Sequence, residues 1–152
     1  MTREQLLARL ETAWTALKDS YAGLPDNQMA APGVAGEWSV RDVLAHVTTW
    51  DAEALKYLPL IASGGRPPRY ASFGGLDAFN ARTTAAKRAL SLAEVLRQLD
   101  ETHQRLTAYL QTVPEDQFTT ETRFRHRLRL DTYSNYPLHA RMIREWREQV
   151  GV

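Results

Sequence analysis

The chain has 152 residues, of which 43% are hydrophobic and 24% charged, the composition of one globular domain rather than of a disordered protein. Cysteine is absent, which excludes disulfides, thiolate metal sites and a cysteine nucleophile. The formal net charge is +1, and the sequence has neither an apolar run of about 20 residues nor the pattern of a signal peptide, so we expect a cytoplasmic protein that does not attract nucleic acid or span a membrane.

The first predicted helix begins after Thr2, whose hydroxyl and the side chain of Gln5 have the spacing of a capping box. Apolar residues then recur every three or four positions, which predicts one buried face made of Leu6, Leu7, Leu10, Trp14, Leu17 and Tyr21. Glycines and prolines between residues 23 and 36 predict a long connection to the next helix.

The second predicted helix has the clearest start, because Ser39 and Asp42 also have the spacing of a helix cap. We expect Pro59 to kink or fray its last turn. Glycines and prolines from 64 to 75 predict a second long loop, in which Tyr70 and Phe73 are available to cover one end of a bundle. The inward face of the helix is predicted to hold Val43, either His46 or Val47, then Trp50 and Ala54, either Tyr57 or Leu58, and Ile61.

A third helical stretch is predicted from Asp77 to Gln111, with a break at Ser91, which together with Glu94 again has capping spacing. Pro114 closes this helix. Its apolar face beyond the break is predicted to consist of Leu92, Val95, Leu96, Leu99, His103, Leu106 and Leu110.

The segment from 120 to 130 alternates between two kinds of side chain. Four arginines (Arg123, Arg125, Arg127 and Arg129) alternate with Thr122, Phe124, His126, Leu128 and Leu130. A period of two indicates an extended chain, and since no partner strand is predicted, we expect an extended loop. The arginines are interpreted as a solvated arm, the alternative being that one or two of them hold a carboxylate or phosphate of a small molecule.

The last predicted helix is capped by Asp131, Thr132 or Ser134 and presents His139, Met142, Ile143, Trp146 and Val150 on its apolar face. Four amphipathic helices without a strand system predict an all-α four-helix bundle, formed as a single domain over residues 1–152. Long loops are expected after each of the first three helices.

Histidines on the apolar faces are the main candidates for chemistry. His46 and His139 belong to different helices, and a bundle can bring such side chains together, with His103 as a third candidate. Trp50, Glu53 and Tyr57 follow His46 on the same general side and are candidates for binding a substrate or cofactor. Such a cleft suits acid/base chemistry or activation of a bound water. The alternative is that the histidines and aromatic residues are satisfied core residues.

Two segments resemble a known family. The run from Gly36 to Val47, GEWSVRDVLAHV, resembles the second-helix signature of the DinB-like superfamily, which also contains the N-terminal domains of mycothiol-dependent maleylpyruvate isomerases. The run from Asp131 to Ala140, followed by IREW at 143–146, is similar to the ClbS/DfsB-like branch. The resemblance implies a bundle of the DinB/YfiT-like type with up-up-down-down helix order, commonly a homodimer.

The resemblance also implies a set of metal ligands. In metal-binding members, one histidine comes from the second helix and two come from an H-x-x-x-H pair on the fourth. His46 matches the first of these and His139 the last, but Asn135 stands at the middle position. Because an amide oxygen is a far weaker ligand than imidazole for Zn or Ni, we expect a weak site completed by water, or no metal.

The function that the resemblance implies is the processing or detoxification of an electrophilic or toxin-like small molecule through this degenerate His/Asn/His site. The chemistry would be either thiol-dependent transfer or isomerisation, with a low-molecular-weight thiol, or hydrolysis. The alternative is a non-catalytic bundle that binds a ligand or a second copy of itself and whose metal site has decayed at Asn135.

Overall fold

The computed structural model describes all 152 residues, and its long elements are helices. A 3₁₀ turn at Tyr70–Phe73 and an isolated bridge between Ala35 and Trp38 complete the regular structure. The α-helices are α1 (Arg3–Ser20), α2 (Asp26–Met29), α3 (Val40–Ala62), α4 (Leu76–Lys87), α5 (Leu92–Leu110), α6 (Asp116–Thr119), α7 (Arg123–Asp131) and α8 (Asn135–Val150).

The four longest helices form the predicted bundle, so the all-α fold is confirmed. α1 packs on α8 and α3 packs on α5, while α4 and α7 lie against α3. The core between them is a single apolar cluster whose fully buried members include Leu10, Leu44, Leu99 and Tyr136. No helix is both long enough and apolar enough to cross a membrane.

Two residue pairs show that α1 and α8 are parallel. The rings of Trp14 and Tyr136 lie 5.3 Å apart, and further along both helices the Arg147 guanidinium donates to the carbonyl of Ser20 at 3.0 Å. α3 is antiparallel to α8. His46, early in α3, contacts His139. Asp51, further along α3, accepts a hydrogen bond from Tyr136, which precedes His139 in α8.

α5 is also antiparallel to α1. The helix order is therefore up-down-down-up and not the up-up-down-down order that the resemblance implies. Lys18, near the end of α1, pairs with Asp100 in the middle of α5. Glu11, two turns earlier in α1, contacts His103, which lies one turn further along α5. The physical reason is α4, which folds back along α3 and returns the chain to the end where α3 begins. Arg88, directly after α4, accordingly pairs with Asp42 in the first turn of α3.

Capping explains most helix starts. Thr2 with Gln5, and Ser39 with Asp42, form complete capping boxes, and the Ser91 hydroxyl accepts from the backbone N–H of Glu94, as predicted. Three expectations were less accurate. α3 continues through the exposed Pro59 to Ala62. None of the three predicted residues caps α8, because Asp131 accepts from Arg127, the Thr132 hydroxyl donates to a carbonyl of α7, and Ser134 makes no capping bond. Val150, predicted on the apolar face of the last helix, is 51% exposed.

The extended conformation predicted for residues 120–130 was wrong, because residues 123–131 form α7. The Thr122 hydroxyl caps this helix by accepting from the backbone N–H of Arg125. Phe124 and Leu128 are four residues apart and both fully buried, so the alternating sequence also contains a helical inner face. Leu130, which an extended chain would place beside Leu128, is 53% exposed.

Candidate functional site

A cavity of about 390 Å³ opens between α3, α4, α7 and the start of α8. Its surface is mostly apolar, and at its rim Leu76 and Leu130 are each 53% exposed. Such a concave, largely apolar space with a few polar groups is the usual form of a small-molecule site. The lining residues are His46, Trp50, Tyr70, Leu76, Asn80, Arg127, Leu130, Asp131 and Asn135.

The structure brings His46 of α3 and His139 of α8 into direct contact. Their ring centroids lie 5.0 Å apart in an edge-on arrangement, and the Trp38 ring packs on His46 at 5.1 Å. Each histidine is only 7% exposed, and the Nδ1 atom of each is buried without a hydrogen-bond partner. Two buried ring nitrogens without partners are unusual in a packed core, which favours a role other than packing.

Burial sets the protonation state of this pair. The pKa of His46 and of His139 is lowered to about 4 each, mainly by burial, and in His46 the neighbouring His139 and Lys87 contribute to the lowering. Both imidazoles are therefore neutral near pH 7. A neutral imidazole has a lone pair that can accept a proton or bind a metal.

Arg127 of this site was not singled out from the sequence, which assigned the four arginines of this segment to a solvated arm or, as the alternative, one or two of them to an anionic small molecule. Its side chain is 13% exposed, and its Nε donates to Asp131 at 2.7 Å. Its Nη2 donates to the Tyr70 hydroxyl at 2.6 Å. The rings of Trp50, Tyr57 and Tyr70 lie 5.9, 5.6 and 5.5 Å from the guanidinium. The signal available in the sequence was the four-residue spacing of Arg127 and Asp131, which on a helix brings the two side chains together.

Asp131 compensates the charge of Arg127 inside the cavity wall. Burial raises the pKa of Asp131 to about 6, although the ion pair with Arg127 acts in the opposite direction. The carboxylate is thus mostly ionised near pH 7 and only 4% exposed. The guanidinium and carboxylate form a buried pair without net charge.

The three candidates that follow His46 along α3 have different places. Trp50 lines the cavity and donates its indole N–H to Asn80 at 2.9 Å. Tyr57 and Glu53 do not line it; Tyr57 packs behind Arg127, and Glu53 accepts a 3.4 Å hydrogen bond from Tyr70. Both support the cavity wall.

His103 lies apart from the histidine pair, on the side of the bundle formed by α1 and α5. Its ring stacks on Trp14 with centroids 3.8 Å apart, and its Nε2 contacts the Glu11 carboxylate at 2.8 Å. The Tyr136 hydroxyl, 3.4 Å from its Nδ1, donates in turn to the buried Asp51. His103 does not line the cavity.

Asn135 is the first residue of α8 and lines the cavity one turn before His139. The possible donors are therefore two imidazoles and an amide. No group of three or more His, Cys, Asp or Glu side chains is arranged to hold a metal. These residues do not fit a three-imidazole centre, and a weaker metal site stays a prediction.

Comparison with known proteins identifies a family and several solved structures with the same fold. The model of the DinB superfamily matches residues 9–137. A search of curated proteins found no significant match.

Three solved structures share the fold. A Streptococcus pneumoniae protein is 17% identical, with 97% of this chain and 91% of that one covered and a TM-score of 0.80. A structure described as Sibling Lethal Factor Precursor - DfsB is 15% identical, with 98% and 96% covered and a TM-score of 0.80. The colibactin self-resistance protein ClbS, in complex with a dsDNA, is 15% identical, with 95% and 94% covered and a TM-score of 0.78.

Proposed function

The chain belongs to the DinB superfamily, and on that premise we propose that it processes an electrophilic, toxin-like small molecule in the cavity beside His46. One observation carries the proposal. Two buried, neutral imidazoles with partnerless Nδ1 atoms, His46 and His139, meet next to a mostly apolar cavity.

His46 is the group that faces the substrate, because it lines the cavity. It accepts a proton from the attacking nucleophile, which is water or a small thiol, and returns it to the oxygen of the opened electrophile. His139 packs edge-on against His46 and orients its ring. This chemistry needs no metal, which agrees with a donor set of two imidazoles and an amide.

The toxin-like character of the substrate is supported by ClbS, described as a colibactin self-resistance protein. An identity of 15% supports a shared fold but not a shared reaction, so the proposed chemistry rests on the cavity of this chain. A non-catalytic binding protein is the second candidate, favoured by the apolar lining and by the exposed Leu76 and Leu130 at the rim.

The proposal predicts that the purified protein consumes model electrophiles. Styrene oxide and 4-nitrophenyl butyrate are incubated with it, with and without 2-mercaptoethanol, and their loss is followed by chromatography or absorbance. His46→Gln lowers the rate by about 100-fold or more, because general base catalysis typically contributes that much. His139→Gln lowers it less, since His139 acts through His46.

The matched control is His126→Gln, because His126 is exposed on α7 and does not line the cavity. It should keep the wild-type rate, and thermal unfolding confirms that all variants are folded. If neither electrophile is consumed, the proposed reaction is contradicted and the second candidate, a binding protein, is favoured. If a chelator abolishes turnover and Zn or Ni restores it, a metal and not His46 activates the nucleophile.

A further inference from the structure

Only one of the four arginines of α7 reaches the cavity. Arg123 donates to loop carbonyls at residues 64 and 65, and Arg125 pairs with a carboxylate at residue 121. Arg129 contacts His126 on the outer face. Arg127 alone lines the cavity, beside His46.

The guanidinium of Arg127 is held in one orientation. Asp131 binds Nε, the Tyr70 hydroxyl binds Nη2, and three aromatic rings surround the group. Nη1 has no hydrogen-bond partner within the protein and is reached by solvent. A bound ligand that displaces water from Nη1 must therefore offer an acceptor, because an unsatisfied donor costs about 1–3 kcal/mol.

The surrounding charges disfavour an anion as that acceptor. Asp131 neutralises Arg127 at 2.7 Å, and the Glu53 carboxylate lies beyond Tyr70. An anionic ligand would lose its hydration without meeting a free positive charge. An uncharged oxygen acceptor has a much smaller desolvation cost.

The rest of the cavity favours an apolar body. Trp50 and Tyr70 form aromatic walls, with ring centroids 5.1 Å apart, and Leu76 and Leu130 form the rim. We propose that the cavity selects uncharged compounds in which an aromatic or other apolar body carries an oxygen acceptor, and that Arg127 Nη1 is the specificity-determining donor to that oxygen. This assignment rests on the proposed function for the location of the site.

The same donor assists the proposed reaction. When water attacks an epoxide carbon, a new C–O bond forms, the ring C–O bond breaks, and the proton of the water passes to His46. Nη1 donates to the ring oxygen as negative charge develops on it, and that oxygen then receives the proton from His46.

Three probes with a phenyl ring test the selectivity: methyl phenyl sulfone, which is uncharged and carries acceptor oxygens, benzenesulfonate, which is anionic, and ethylbenzene, which has no acceptor. Binding is followed by NMR at the indole N–H of Trp50, with Trp14, outside the cavity, as internal reference. The sulfone should bind about tenfold or more tightly than either other probe.

Variants assign the selectivity to Arg127. The double variant Arg127→Met/Asp131→Asn removes both charges, so that neither is left buried alone, and should bind the sulfone and ethylbenzene within about twofold of each other. Arg129→Met, on the outer face of the same helix, should keep the wild-type selectivity.

Each other outcome overturns the inference. Tighter binding of benzenesulfonate would identify an anion site. Equal affinities, or selectivity that survives in the double variant, would show that Arg127 does not select. Absence of shifts at Trp50 with all probes would show that the cavity does not bind this class. None of these measurements needs turnover, so a protein that binds the sulfone selectively but consumes no electrophile contradicts only the proposed function.

Discussion

At the scale of single residues, burial determines what each histidine can do. His46 and His139 could be predicted as buried because they fall at three- and four-residue spacing on apolar faces, and the structure places both inside. Their contact could not be derived from spacing, since it depends on how α3 and α8 cross. Arg127 was missed because its role depends on Tyr70, which is 57 residues away in the sequence.

The histidine pair predicts a loss of stability in acid. Histidines in the unfolded chain have a pKa near 6.5, whereas burial lowers the pKa of His46 and His139 to about 4. The unfolded state therefore binds more protons between these values. The free energy of unfolding should fall as the pH falls from about 7 to 4, by up to about 1.4 kcal/mol per pH unit for each histidine.

Asp131 acts in the opposite direction, because its pKa is raised to about 6 and its protonation favours the folded state as the pH falls. The test is therefore a comparison with His46→Gln/His139→Gln, which keeps Asp131. Urea unfolding at pH 7 and pH 5 should show a larger loss for the wild type than for the double variant. Equal losses would mean that the two imidazoles are not buried as neutral groups.

At the scale of elements, capping residues predicted where helices begin more reliably than the spacing of apolar residues predicted the conformation of a segment. Thr2, Ser39 and Ser91 predicted three helix starts because their hydroxyl groups satisfy backbone N–H groups locally. The segment containing α7 was misinterpreted because Phe124 and Leu128 satisfy both a period of two and a four-residue helical spacing. Tertiary packing against α3 selects the helix.

Two leucines distinguish these conformations experimentally. Leu128→Ala should lower the free energy of unfolding by about 3 kcal/mol, because Leu128 is fully buried in α7. Leu130→Ala should change it by less than about 0.5 kcal/mol, since Leu130 is 53% exposed at the cavity rim. Urea unfolding measures both, and similar costs for the two variants would place both leucines on one face of an extended segment.

At the scale of the whole molecule, the bundle was predictable but its helix order was not. Four amphipathic faces require mutual burial, which indicates a bundle whatever the connections. The direction of α5 depends on α4, whose return along α3 is a tertiary contact between residues far apart in sequence, such as Trp50 and Asn80.

The net charge of the whole chain also affects which partners it can attract, DNA in particular. Although ClbS is described in complex with a dsDNA, this chain has a net charge of +1 and its α7 arginines contact its own carbonyls, carboxylates and a histidine. We therefore do not extend DNA binding to it. A homodimer stays a prediction of the family resemblance.

The central claim is that one cavity, with His46 and Arg127 in its wall, both binds and transforms the substrate. Inhibition of styrene oxide consumption by methyl phenyl sulfone tests it most directly. We predict competitive inhibition, with an inhibition constant equal to the dissociation constant measured at the Trp50 indole. Turnover that continues unchanged while the sulfone saturates Trp50 would place the chemistry elsewhere and contradict the claim.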